Sequence, residues 1–162
     1  MKVLFLFLIL PVFSFGQTIH IKDDKIVYEG KEKSTLPTKE TFSRILQALP
    51  NIVDNYSIEQ QSEDSIVARG ELKLKAPHHI VRTVHYFLKI NSTENGYEYL
   101  IDSVLFKERQ RGEEVITMPS EKMVKNMDET GKVVGVTEKI LNETDMKFQK
   151  LLALLRRETK KD

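Results

Sequence analysis

The chain has no cysteine. Disulfides, thiolate metal sites and cysteine nucleophiles are thereby excluded, lipid anchoring through a cysteine is excluded with them, and the fold must hold by packing alone. A long apolar run is also missing. Val3 to Phe15 comes nearest, broken by Pro11 and Ser14, and falls short of the roughly 20 apolar residues that a membrane span needs. Charge of one sign is missing too: 25 basic residues stand against 24 acidic ones. Setting aside Lys2 leaves 24 of each. A formally neutral chain is not built for phosphate backbones or anionic lipid. There is no G-x-S-x-G, H-E-x-x-H, G-x-x-x-x-G-K-[ST] or G-x-G-x-x-G motif, so hydrolase, zinc-protease and nucleotide signatures are absent.

What is present begins with an address. Lys2 supplies a positive start, Val3 to Phe15 an apolar stretch, and Ser14-Phe15-Gly16 small residues ahead of polar Gln17. That is the layout of a secretory signal peptide over residues 1–16, with a mature chain starting at Gln17. The expected location is the periplasm, with full secretion as the alternative. Residues 17–162 are of single-domain length and long enough to bury a core.

The periodicities along the mature chain alternate between the two regular structures. Gln17 to Asp24 reads as a frayed or edge segment, and Ile26-Val27-Tyr28 as a short strand stopping at Glu29-Gly30. Lys31 to Pro37 reads as a loop. Thr38 is placed as an N-cap after Pro37, and Phe42, Ile45, Leu46 and Leu49 form one stripe of an amphipathic helix that Pro50 ends. Ile66, Ala68, Gly70, Leu72 and Leu74 alternate with Val67, Arg69, Glu71, Lys73 and Lys75, as in a half-buried strand. Ile80–Ile90 and Tyr97–Phe106 flank the loop Asn91 to Gly96 as a hairpin. With Ile90 opposite Tyr97, one face carries Leu88, Tyr86 and Val84 and is core; the other pairs Phe87 with Leu100 and His85 with Asp102. A register slip of two residues changes partners but not faces. Lys107 to Gly135 reads as a long irregular segment, with a short helix after Pro119. A final helix follows Asn142, burying Phe148, Leu151, Leu152 and Leu155 and setting Arg156, Arg157, Lys160 and Lys161 at its negative end. Two helices on one face of an antiparallel sheet make an α+β domain.

This order of elements resembles a bacterial family of exported domains of unknown function with a TATA-binding-protein-like (TBP-like) fold. The resemblance is carried by Ile26-Val27-Tyr28-Glu29-Gly30, the Thr38-started helix, Ile66-Val67-Ala68-Arg69-Gly70, the hairpin ending Gly96-Tyr97-Glu98-Tyr99, and the closing helix. It spans nearly the whole mature chain. It implies a curved antiparallel sheet backed by helices and an envelope location, and it brings no catalytic residues. The fold name does not import DNA binding, because function lives in sites.

Among candidate chemical groups, His79 and His85 share a strand face but lie about 20 Å apart at roughly 3.3 Å per residue, too far to hold one metal. His78 points to the opposite face from His85. His85 with Asp102 is the one candidate acid–base pair, since a carboxylate beside an imidazole raises its pKa and orients it; Ser103 faces away, so no triad forms. An ordinary cross-strand contact is the competing reading. Asn91-Ser92-Thr93 and Asn142-Glu143-Thr144 match the eukaryotic glycosylation pattern, and Asp64-Ser65-Ile66 and Asp102-Ser103-Val104 a bacterial O-glycosylation sequon.

The outer sheet face combines Arg69, Glu71 and Lys73 with Val81, Phe87, Leu100, Val104 and Phe106. Three coverings compete: the 107–135 segment, self-association, and a ligand or partner. The sequence thus points to a non-enzymatic envelope module with Arg69, Lys73, Phe87, Leu100 and Phe106 as its binding residues and no cofactor, acting on an envelope protein or small ligand. The alternatives are a small periplasmic enzyme using His85 and Asp102 under a 107–135 lid, and a structural subunit of a larger complex.

Overall fold

The computed structural model describes residues 20–110, 112–125 and 135–160; the expected signal peptide and the start at Gln17 lie outside them. A small hairpin comes first, β1 (Ile21–Lys22) with β2 (Lys25–Ile26). Its tip residues Asp23 and Asp24 have φ of 51° and 59°, the two positive values that a type I′ turn requires. The main sheet has six strands, all pairs antiparallel: β3 (Tyr28–Lys33), β4 (Asp54–Gln61), β5 (Ser65–Leu74), β6 (Ile80–Thr93), β7 (Gly96–Gln110) and β8 (Ile116–Pro119). Their order is β3-β7-β6-β5-β4. Strand β3 pairs with β7 over Gly96–Ile101 and β8 with β7 over Leu105–Glu108, so the two occupy successive lengths of one β7 edge. Helices α1 (Thr38–Ile52), α2 (Ser120–Val124) and α3 (Val136–Glu158) complete the α+β architecture.

All three helices feed one core on one face of the sheet. Phe42, Ile45 and Leu49 of α1, Met123 and Val124 of α2, and Leu141, Phe148, Leu151, Leu152 and Leu155 of α3 meet the inward residues of β5, β6 and β7. The β5 alternation holds as expected, with Ile66, Ala68, Gly70, Leu72 and Leu74 inward. The Phe148 ring lies 5.0 Å from both Tyr28 and Tyr86. The Tyr28 hydroxyl donates 2.7 Å to Oδ1 of buried Asp145, which gives that carboxylate a partner away from water. Burial and this contact push the Tyr28 phenol far above its ordinary value.

Several boundaries differ from expectation, each for a local reason. Strand β3 continues through Gly30 to Lys33, because Gly30 leaves room for Tyr99: a Cβ there would sit 2.7 Å from the Tyr99 hydroxyl. Thr38 is the first residue of α1 and not its cap; its hydroxyl donates to the carbonyls of Thr93 and Glu94, tying the helix start to the β6–β7 turn. Pro50 is tolerated in the last turn, and α1 runs on to Ile52, since the missing N–H there forfeits only one bond. The β6–β7 loop shrinks to Glu94-Asn95, with Gly96 at φ 152° and its α-carbon facing the Glu32 carbonyl so closely that no side chain fits. Helix α3 begins at Val136, ahead of Asn142. Thr144 is accommodated inside it because its hydroxyl donates 2.7 Å to the Ile140 carbonyl. The segment from Lys107 is not irregular throughout: its start belongs to β7, and β8 and α2 follow.

The largest correction concerns β7. The pairing is slipped by two residues, Ile90 opposite Tyr99 and Leu88 opposite Ile101, and it carries a bulge between the His85 and Phe87 pairs. Ser103, at φ 54°, is the bulged, exposed residue. An extra residue flips side-chain parity beyond it. Val104 and Phe106, expected on the outer face, are therefore core, and Leu105 turns outward in their place.

Candidate functional site

With every described helix packed on one side, the opposite face of β5–β6–β7 is the candidate surface. The described part of residues 107–135 borders it at one side only: β8 extends the sheet edge, α2 sends Met123 and Val124 into the core, and Pro119, Ser120 and Glu121 stand at the side of the face. Four of the five expected binding residues, Arg69, Lys73, Phe87 and Leu100, share this face. Phe106 does not. It lies on the helix side, where it lines a separate pocket of about 280 Å³ with Met118, Met123 and Ile140.

Phe87 stands at the centre of the face. Arg69 is its β5 neighbour and Asp102 its β7 neighbour. The Arg69 guanidinium carbon is 5.5 Å from the Phe87 ring centroid, a cation–π distance, and Arg69 also pairs with Glu59 at 3.2 Å. Lys89 reaches Asp102 Oδ2 at 2.7 Å. Phe87, Leu100 and Leu105 then floor a cleft of about 530 Å³ whose far wall is Val27 and the β1–β2 hairpin. A second cleft of about 420 Å³ adjoins it, sharing Glu29 and Leu100. Lys22 pairs with Glu29 at 2.8 Å and Lys25 with Glu121 at 3.7 Å along the rim. The floor joins apolar Phe87, Leu100 and Leu105 to Asp102, whose Oδ2 is held by Lys89 and whose Oδ1 is buried without a partner, while the rim charges are paired; the arrangement suits an amphipathic group with a hydrogen-bond donor.

His85 and Asp102 do not form a pair. His85 stands opposite Leu105, with Nε2 3.2 Å from the Thr83 hydroxyl and 3.6 Å from Glu71, while Asp102 is engaged by Lys89. Partial burial lowers the His85 pKa, the positive field of Lys107 and Arg69 adds to that, and Glu71 opposes it. The arrangement expected of an acid–base pair, a raised imidazole held by Asp102, is absent. Among the described residues, no group of three His, Asp or Glu side chains could hold a metal ion. No described helix is long and apolar enough to cross a membrane.

Leu105, Lys107 and Val27 are the surface residues that sequence patterning missed. The first two were hidden by the bulge, and a serine at positive φ leaves no compositional signal as glycine would. Of the two bacterial sequon serines, Ser103 is exposed at the bulge, whereas Ser65 lies 2.8 Å from the Ser62 hydroxyl.

The architecture is that of known TBP-like proteins. A TBP-like protein from Parabacteroides distasonis ATCC 8503 superposes with a TM-score of 0.69 at 14% identity, over 87% of this chain and 96% of that one. A DUF4468 family protein from Bacteroides ovatus ATCC 8483 superposes with a TM-score of 0.58, also at 14% identity, over 87% of this chain and 91% of that one. At this identity the likeness defines the fold, an α+β TBP-like domain, and nothing about ligands. No family model matches the sequence, and no curated protein does.

Proposed function

We propose that this protein is an exported envelope module that binds through the open face of its sheet and performs no chemistry of its own. The observation that carries the reading is the one-sided packing of the described helices, which leaves Phe87, Leu100 and Leu105 flooring a cleft bordered by the β1–β2 hairpin and by Pro119, Ser120 and Glu121. A sheet face that carries apolar side chains normally acquires a cover. Export rests on residues 1–16, and the absence of a chemical role on the separation of His85 from Asp102.

The test is crosslinking in the native cell followed by capture of tagged protein, wild type against Phe87→Glu. A ligand or partner held by the wild type and lost from a variant with unchanged circular dichroism supports the reading. Equal capture by both proteins contradicts it. Leu100→Gln serves as the second variant should Phe87→Glu fail to fold. N-terminal sequencing of the cell-derived protein checks export, with Gln17 the expected first residue.

A further inference from the structure

The charges of the open face are not evenly paired. Around Phe87 they are matched, but beyond His85, toward the Pro77 turn, they are all of one sign. Lys73 of β5, Thr83 of β6, Lys107 of β7 and Thr117 of β8 stand in one cross-strand row. In the next outward-facing row Val81 stands opposite Arg109, and Lys75 lies one residue past the last β5–β6 pair, Leu74 with Arg82. The Lys73, Lys75, Lys107 and Arg109 side chains have no ion-pair partner among the described residues. Lys73, Lys75 and Arg109 are exposed, and Val81, between the cationic columns, is 53% exposed. Nearby carboxylates are otherwise engaged or off the rows: Glu71 faces His85, Glu108 holds Arg82 on the helix side, and Glu143 accepts from the Lys75 backbone. Glu113 and Glu114 lie in the connection after β7.

The spacing defines what fits. Neighbouring strands are about 4.8 Å apart, so Lys73 and Lys107 stand roughly 10 Å apart with Thr83 midway. Successive outward rows are separated by two residues, about 6.8 Å along the strand. An extended polypeptide has that same two-residue repeat. A carboxylate over Thr83 would lie between Lys73 and Lys107, and one two residues on, over Val81, between Lys75 and Arg109. We propose that this end of the open face docks an extended acidic polypeptide segment with carboxylates at alternate positions, held by Lys73, Lys107, Lys75 and Arg109. A membrane surface fits less well, because with these four cations set aside 21 basic residues stand against 24 acidic ones, and a net negative remainder is repelled by anionic lipid.

This inference rests on the open face being a contact surface and is tested separately from it. The probe is a fluorescein-labelled peptide, Gly-Ser-Glu-Ser-Glu-Ser-Glu-Ser-Gly, titrated with full-length protein at low salt and followed by anisotropy; its Gln counterpart is the control. The Glu peptide is expected to bind, to weaken as salt rises, and to lose roughly tenfold in affinity with Lys73→Gln/Lys107→Gln. Gln47→Glu, on the exposed side of α1, leaves the four cations in place and is expected to keep the binding. No binding of the Glu peptide, equal binding of the Gln peptide, or an unchanged affinity in the double variant overturns the inference. Sedimentation with phosphatidylglycerol vesicles in the absence of peptide binding assigns the patch to a membrane and also overturns it. Any of these results leaves the Phe87→Glu capture experiment, and the reading it tests, standing on its own outcome.

Discussion

His85 illustrates how one residue reads differently once its neighbours are known. Beside Asp102 it would have been a base with a raised pKa. Beside Thr83 and Glu71, part-buried, and in the field of Lys107 and Arg69, its pKa falls below the ordinary 6.5 instead. The unfolded chain then takes up this proton more readily than the folded one. The His85 contribution to stability is complete above 6.5 and is lost as the pH falls from 6.5 through the lowered folded value. Carboxylates also lose stability in acid, so the comparison must be differential. Urea unfolding of wild type and His85→Gln between pH 7.5 and 5 is expected to show the wild type losing more stability on acidification. Parallel loss in both proteins contradicts this environment for His85.

At the scale of elements, the decisive feature is the bulge in β7. Up to Ile101 the strand follows the parity that its sequence dictates, and beyond Ser103 that parity is reversed. An L-residue in the left-handed region costs about 1–2 kcal/mol, and a β-branched side chain raises the cost. Ser103→Val is therefore expected to unfold at lower urea concentration than Ser103→Gly, by an amount equivalent to about 1–2 kcal/mol. Identical midpoints for the two variants contradict the bulge geometry. The same feature explains what could and could not be read in advance. Strand β5, the β6–β7 hairpin, α1 and the body of α3 announce themselves because each buries a regular stripe. Strand β4 does not, because its residues Asp54–Gln61 form an edge exposed along nearly all its length, and without burial there is no selection for alternation. Strand β8 is too short to show a period, and the position of a bulge depends on tertiary pairing. The face of Arg69, Lys73, Phe87 and Leu100 was legible; the exchange of Phe106 for Leu105 was not.

For the whole molecule, the helix-packed core and the proposed binding surface lie on opposite faces of one sheet. The helix side holds the aromatic contacts of Phe148 and the Tyr28–Asp145 bond. The open side carries ion pairs that range from exposed, such as Lys22–Glu29, to half-buried, such as Lys89–Asp102; the exposed ones individually contribute about 0–1 kcal/mol and weaken with salt. Such a face can be remodelled by mutation with little loss of fold, which makes it experimentally separable from the core. Its two regions are also distinct, a cleft floored by Phe87, Leu100 and Leu105 and a cationic end around Lys73 and Lys107. The most direct measurement is site-specific photocrosslinking in the native cell, with the crosslinking residue placed at Phe87, Leu100 or Lys73 on the open face and at Gln47 or Gln149 on the exposed sides of α1 and α3. The account predicts adducts, seen as intact-mass shifts, from the open-face positions and none from the helices. Adducts from Gln47 or Gln149 alone, or from all positions equally, would contradict the claim that this protein works through the open face of its sheet.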